Sequence, residues 1–201
     1  MAASGPEANG PEASGPEVFP AAIHRPGAER RAVILPGARY PTSAPLLWFA
    51  REVAMARGYG VLEVLDAPPP GEDPFAWARD RAARALDHEP SPSDVIVGKS
   101  PSSEAAALAA ERELPAIWLT PLLDRPSVLD ALARAARPAL LVGGSADPTW
   151  RPDALPENVM LDVLELPGLD HALQLAGEPE ESLKALRTVA KRIDRFLGAL
   201  R

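Results

Sequence analysis

A chain of 201 residues is long enough for one domain with a sizeable core, and its lack of cysteine excludes disulfides, thiolate zinc sites and cysteine nucleophiles and fits a cytoplasmic location. The formal net charge of −7 is spread over interspersed acidic and basic residues, which argues against nucleic acid as a partner because phosphate binding needs clustered lysine and arginine. No apolar run approaches the roughly 20 residues that span a bilayer, and the N-terminus lacks the basic and apolar regions of a signal peptide, so we expect no membrane partner.

The N-terminal segment is a short repeat of Gly-Pro-Glu, beginning at Gly5, Gly10 and Gly15. A segment of this composition has almost no apolar side chains, so burial cannot offset the entropy lost on ordering it. We therefore expect residues 1–19 to be a disordered tail and residues 20–201 to form the domain. The stretch VFPAAIHR at the junction is compatible with an added edge strand.

Short apolar runs alternate with longer amphipathic segments from Arg31 onward. The runs are rich in branched side chains and too short for helices; they cover residues 32–36, 61–65, 94–98, 116–120, 139–143 and 160–166. The segments between and after them have apolar residues at three- and four-residue steps; they cover residues 44–58, 74–89, 102–113, 127–136 and 180–200. This order predicts an α/β fold with a mostly parallel sheet of about six or more strands, sandwiched by helices. Ligands of such sheets bind beyond the carboxyl ends of the strands, where strands turn into helices.

Three of these corners carry a serine, an aspartate and a histidine, in that order along the chain. Ser100 lies in GKSPS after the third predicted strand, Asp147 in GGSADP after the fifth, and His171 in GLDHAL after the sixth. A serine hydroxyl is a weak nucleophile until an imidazole removes its proton, and the imidazole needs an acid to fix its tautomer. The three residue types at one sheet edge therefore point to nucleophilic catalysis.

The chain after the tail resembles the α/β-hydrolase family over nearly its whole length. GKSPS is similar to the family's nucleophile elbow, in which small residues flank the serine, although Ser102 replaces the usual second glycine. GGSADP looks like the acid-bearing loop and GLDHAL like the histidine loop. The resemblance implies that Ser100 attacks, His171 is the base and Asp147 orients it. It also implies that no cofactor is needed, and the short connection between the fourth and fifth predicted strands leaves no room for a cap domain.

Pro101 conflicts with this mechanism. In the family, the backbone N–H of the residue after the nucleophile helps to hold the oxyanion, and proline has no N–H. Loss of one such donor costs about 10²–10³ in rate. The remaining donors would come from the first corner, PGARY, where the N–H of Ala38 is best placed and Arg39 or Tyr40 are substitutes.

Each of these residues also has a structural interpretation. Ser100 could be a helix N-cap, Asp147 a turn former and His171 a surface residue at a helix start. Asp170 is a rival for the acid, and we expect Lys99 to be a solvated charge. The large aromatic residues are assigned to the core by default; they are Trp48, Phe49, Trp77, Trp118 and Trp150.

Three functions remain open. The first is a cofactor-free serine hydrolase, similar to esterases and thioesterases, that acts on a small or carrier-tethered acyl substrate. The second is a non-hydrolytic lyase, isomerase or cyclase that uses the Ser-His pair for proton transfer, for which Pro101 is a smaller handicap. The third is a binding protein without turnover. No metal site is expected, because the three histidines are scattered and no ligand spacing recurs.

Overall fold

The computed structural model describes residues 20–88 and 94–200. The predicted tail, residues 1–19, lies outside the described residues. The strands are β1 (Ala21–His24), β2 (Arg31–Leu35), β3 (Gly60–Val64), β4 (Asp94–Lys99), β5 (Ala116–Leu119), β6 (Ala139–Gly144) and β7 (Leu161–Leu166). The α-helices are α1 (Pro45–Ala56), α2 (Pro74–Asp87), α3 (Ala106–Glu111), α4 (Pro126–Ala133) and α5 (Pro179–Ala199).

The described part of the chain forms one seven-stranded sheet in the order β1-β3-β2-β4-β5-β6-β7. All neighbouring strands are parallel except β1, which pairs with β3 in the antiparallel direction at the sheet edge. This confirms the predicted mostly parallel sheet. The edge strand β1 lies within the stretch VFPAAIHR, as its sequence allowed. The carboxyl ends of β2, β4, β5, β6 and β7 lie along one side of the sheet, so the loops that follow them are neighbours.

Helices cover both faces of the sheet, as the continuous apolar strands require. In β4, Val95 and Val97 belong to the core under α1 and α5, whereas Ile96 belongs to the core under α2, α3 and α4. Successive side chains of a strand alternate between faces in this way. The helical residues on the first face are Leu46, Leu47, Ala50, Ala54, Ala185, Val189, Ile193, Phe196 and Leu197.

The connections at the carboxyl side of the sheet are short. Residues 120–138, between β5 and β6, contain α4, and residues 145–160, between β6 and β7, contain only a 3₁₀ turn at Pro152–Ala154. The predicted absence of a cap domain is thus confirmed for this part of the chain. None of the helices in the described ranges combines the length and the apolar character needed to cross a membrane.

Two sequence predictions about local structure were wrong. The segment after β4 begins as a 3₁₀ helix, Ser100–Ala105, before α3 starts. In it the Ser103 hydroxyl donates to the Ser100 carbonyl at 2.7 Å, a local bond that competes with the α-helical ladder. Trp48 and Phe49 are each 37 % exposed rather than buried in the core. They lie on the outer side of α1, where their rings contact each other edge to face with centroids 4.7 Å apart.

Candidate active site

Ser100 stands at a sharp corner directly after β4. Its φ is +55°, a left-handed conformation that is uncommon for a residue with a side chain. Small neighbours make the corner possible: a Cβ on Gly98 would lie 2.8 Å from the Trp118 ring and 3.1 Å from the Cβ of Ser102. The Ser102 hydroxyl donates to the Pro36 carbonyl at 2.5 Å, which fixes this corner against the one after β2. A strained corner held in this way is a feature of functional sites.

The structure brings Ser100, His171 and Asp147 into one hydrogen-bonded row. The Oγ of Ser100 lies 2.8 Å from Nε2 of His171, and Nδ1 of His171 lies 2.7 Å from Oδ2 of Asp147. A carboxylate can only accept, so Nδ1 carries a proton and, in the neutral imidazole, Nε2 accepts from the serine hydroxyl. Ser100 does not cap the 3₁₀ helix, because the residue at the N-cap position is Lys99.

Asp147 is 3 % exposed and has two tasks. Its Oδ1 accepts from the backbone N–H of Thr149 at 2.9 Å and from the Thr149 hydroxyl at 2.8 Å, as in a turn former, while Oδ2 faces the imidazole. Burial opposes ionisation, but the hydrogen bonds from His171 and Thr149 outweigh it and lower the pKa of the Asp147 carboxyl. The carboxylate is therefore charged at neutral pH. Thr149 has no motif that marks it in the sequence.

Asp170, the rival acid, has a different role. Its Oδ1 accepts from the backbone N–H groups of Ala172 and Gln174, at 2.8 and 2.9 Å, and so folds the loop that carries His171. The other described histidines lie elsewhere: His24 contacts Glu63 at 2.7 Å in the β1–β3 pair, and His88 follows α2. Within residues 20–88 and 94–200, no group of three histidine or acidic side chains is arranged to hold a metal ion.

Lys99 is not the solvated charge that the sequence suggested. It is 1 % exposed, and its Nζ donates to Oγ1 of Thr120 at 2.6 Å and to the carbonyl of His171 at 2.8 Å. The ammonium also lies 4.8 Å from the centre of the Tyr40 ring. Burial lowers the pKa of Lys99 to about 8, although the carboxylates of Asp147 and Asp170 oppose the shift. Its place as the last residue of a central, fully buried strand is the signal that could have indicated burial.

A cavity of about 370 Å³ opens in front of Ser100 and His171. The three residues proposed for the oxyanion site, Ala38, Arg39 and Tyr40, all line it. The backbone of Tyr40 is already engaged in a tight turn, because its N–H and carbonyl both pair with Gly37. Among the described residues, the N–H groups of Ala38 and Arg39 have no acceptor, so both are available to a ligand.

The Tyr40 side chain supports the cavity wall. Its hydroxyl accepts from the backbone N–H of Leu46 at 3.0 Å, which joins this corner to the first turn of α1. Burial raises the pKa of the Tyr40 hydroxyl, although the Leu46 bond acts in the opposite direction. The phenol is therefore neutral at pH 7 and can serve as a hydrogen-bond group but not as a base.

Solved structures with the same architecture are numerous, although no family model matches the chain and no curated protein matches its sequence. A dienelactone hydrolase from Anabaena variabilis is 20 % identical, with 90 % of this chain and 92 % of that one covered and a TM-score of 0.66. Alpha/beta hydrolase domain-containing protein 10 from mouse is 14 % identical, with 92 % and 96 % covered and a TM-score of 0.69. A serine hydrolase without a lid from Xanthomonas campestris is 16 % identical, with 90 % of each chain covered and a TM-score of 0.60. The chain therefore has the α/β-hydrolase fold, in a form without a cap.

Proposed function

We propose that the protein is a cofactor-free serine hydrolase that cleaves acyl esters or thioesters, with Ser100 as nucleophile, His171 as general base and Asp147 as the acid that orients it. The observation that carries this proposal is the unbroken row of hydrogen bonds from Oγ of Ser100 through both imidazole nitrogens to Asp147, at 2.8 and 2.7 Å. A helix cap or an isolated turn former would not need that row.

The row can carry out both halves of an acyl transfer. Ser100 Oγ attacks the ester carbonyl carbon while its proton passes to Nε2 of His171, and the Asp147 carboxylate stabilises the imidazolium. The tetrahedral intermediate collapses, and the leaving alcohol or thiol takes the proton from Nε2. Water then attacks the acyl-enzyme, gives a proton to Nε2, and the carboxylic acid leaves as Ser100 regains its own proton. The transfer of a proton between Ser100 and His171, and the support of His171 by Asp147, use contacts that are already formed.

The oxyanion site is the weak point of the mechanism. Pro101 can offer no backbone N–H, so the negative charge would rest on the N–H groups of Ala38 and Arg39 in the cavity wall. Because a missing donor costs about 10²–10³ in rate, we expect modest turnover and a preference for activated esters. The open cavity suits a small molecule or the exposed end of a carrier-tethered acyl group.

One observation favours a second function. A Ser-His pair without the usual oxyanion donor could move protons on and off a carbon or oxygen atom in a lyase, isomerase or cyclase reaction. Pro101 is a smaller handicap there, because no tetrahedral oxyanion forms at Ser100.

Hydrolysis of p-nitrophenyl acetate tests the proposal. We expect the wild type to release p-nitrophenol faster than the buffer does, and Ser100→Ala to lose this activity. Ser43→Ala, at an exposed serine of the first corner loop, is the matched control and should keep it. Activity that survives in Ser100→Ala would contradict the proposal.

The same assay tests the effect of the proline. Pro101→Ala restores a backbone N–H after the nucleophile, and we expect kcat to rise by about tenfold or more, within the 10²–10³ that one donor can contribute. Pro126→Ala removes the exposed proline that begins α4 and should leave kcat unchanged. An unchanged or lower kcat in Pro101→Ala would mean that this N–H does not reach the oxyanion.

A further inference from the structure

A second cavity adjoins the one in front of Ser100. Its volume is about 570 Å³, and it shares Tyr40, Asp170 and Ala172 with the Ser100 cavity. The second cavity therefore lies next to the first and extends along the groove between the starts of α1 and α5. A volume of this size is within the range of small-ligand sites.

The walls of this second space, the acyl groove, are mostly apolar. The side chains that form them are Pro45, Leu46, Leu173, Leu175, Leu183 and Leu186. Leu183 is 65 % exposed, so part of the groove wall meets water when no ligand is present. An apolar ligand would remove this surface from water, which is the main source of affinity in such sites.

The charged side chains that line the acyl groove itself are of one sign. They are Asp170 and Glu178, and no lysine or arginine of the described residues lines it. A chain that ended in a carboxylate would therefore meet two acidic side chains and no cation. A neutral chain meets no such penalty, so the groove discriminates by charge as well as by polarity.

We infer that the acyl groove binds the neutral, apolar acyl chain of the ester whose carbonyl reaches Ser100. The inference rests on the proposed function for its chemistry, and it adds the substrate class: esters of apolar monocarboxylic acids rather than of dicarboxylic acids. Burial of one methylene group corresponds to about a fourfold gain in affinity, so each added carbon that the groove accepts should be visible in kcat/KM.

Chain length and charge are tested with three p-nitrophenyl esters: acetate, hexanoate and the mono-ester of adipate, which has the hexanoate length and a terminal carboxylate. We expect kcat/KM for hexanoate to exceed that for acetate at least about tenfold and that for the adipate ester at least about tenfold. Equal values for acetate and hexanoate, or a preference for the adipate ester, would overturn the inference.

Two variants show whether the preference comes from this groove. Ala176→Trp places an indole in the groove from an exposed loop position, and we expect the hexanoate-to-acetate ratio of kcat/KM to fall at least about fivefold. Glu178→Lys gives the groove a cation and should raise the ratio of kcat/KM for the adipate ester to kcat/KM for the hexanoate ester. Ala56→Trp, at the exposed end of α1 and away from the groove, should leave both ratios as in the wild type. Unchanged ratios in the first two variants would contradict the assignment.

Binding to Ser100→Ala separates the failure of this inference from that of the proposed function. Calorimetric titration of Ser100→Ala with the hexanoate ester should give tighter binding than with the acetate ester, and the added Ala176→Trp change should remove the difference. If the wild type cleaves no ester but this binding difference is present, the groove assignment stands and the hydrolase proposal fails. If esters are cleaved without dependence on chain length and no binding difference appears, the hydrolase proposal stands and the groove assignment fails.

Discussion

Lys99 holds a charge where the fold leaves almost no water to solvate it. Its ammonium contacts the carbonyl of His171, the hydroxyl of Thr120 and the face of the Tyr40 ring. It therefore joins the histidine loop to the corners that follow β2, β4 and β5. Removal of an ammonium ion from water costs several kcal/mol. The lowered pKa of Lys99 indicates that its partners offset this cost only in part. We therefore expect Lys99 to lower the stability of the fold while it positions His171.

Lys99→Met removes the charge and keeps most of the side-chain length. We expect kcat for ester hydrolysis to fall at least about tenfold, because small displacements of a catalytic base are costly. We expect the free energy of unfolding at pH 7 to stay the same or to rise, because a buried charge is replaced by an apolar group. Lys184→Met, at an exposed position of α5, is the control and should change neither quantity. A parallel loss of activity and stability would contradict a positioning role.

The burial of Lys99 should also make the free energy of unfolding depend on pH in the alkaline range. The pKa of Lys99 is about 8 in the fold and 10.5 in the unfolded chain, so between these values the unfolded chain binds more protons than the folded one. Below about pH 8 the folded protein bears the full cost of burying the Lys99 ammonium. The free energy of unfolding should therefore rise by about 3 kcal/mol as the pH increases from about 8 to 10.5. Denaturant titrations at several pH values should show this contribution as the difference between the wild type and Lys99→Met. An equal pH dependence of the two proteins would contradict it.

At the scale of elements, the loops after β6 and β7 are locked together behind the acid. The carbonyl of Leu169 accepts from the N–H of Ala146 at 3.0 Å, and a Cβ on Gly144 would lie only 2.1 Å from that carbonyl oxygen. The carbonyl belongs to the backbone, so no side-chain rotation can relieve the contact. The position of His171 relative to Asp147 thus depends on a glycine at the end of β6.

Gly144→Ala should force the histidine loop away from the acid loop. We expect the free energy of unfolding to fall by about 3 kcal/mol, at the upper end of overpacking costs, and ester hydrolysis to fall at least about 100-fold. Gly71→Ala is a useful comparison, because its φ of +86° strains an alanine but nothing lies within 4 Å of the new Cβ. It should cost about 1 kcal/mol with an unchanged rate. Wild-type activity in Gly144→Ala would refute the dependence.

The sequence predicts elements well where periodicity is unbroken. Each of the six apolar runs overlaps a strand. Five of these strands are buried on both faces, where continuous branched residues are expected, whereas β7 is half-buried at the sheet edge. The helix after β4 was predicted without its 3₁₀ start, since a local serine bond leaves no periodic signal. Trp48 and Phe49 were assigned to the core by default, but the buried stripe of α1 passes through other positions.

At the scale of the whole molecule, the parallel sheet explains how distant residues meet. Ser100 and His171 are 71 positions apart, and His171 and Asp147 are 24 apart, yet each follows a strand whose carboxyl end lies at the same edge. This proximity could be predicted from chain order. The burial of Lys99 and the support from Thr149 could not, because both depend on side chains that meet only after the loops pack.

Reaction of the folded wild-type protein with a fluorophosphonate, followed by intact mass and peptide mapping, tests most directly whether Ser100 is an activated nucleophile. If the Ser100 hydroxyl is activated by His171 and Asp147, one adduct forms, it maps to Ser100, and Ser100→Ala forms none while Ser43→Ala reacts as the wild type does. If the folded wild type stays unlabelled at Ser100, the serine is not an activated nucleophile, and the Ser-His pair is left to proton transfer or to ligand binding.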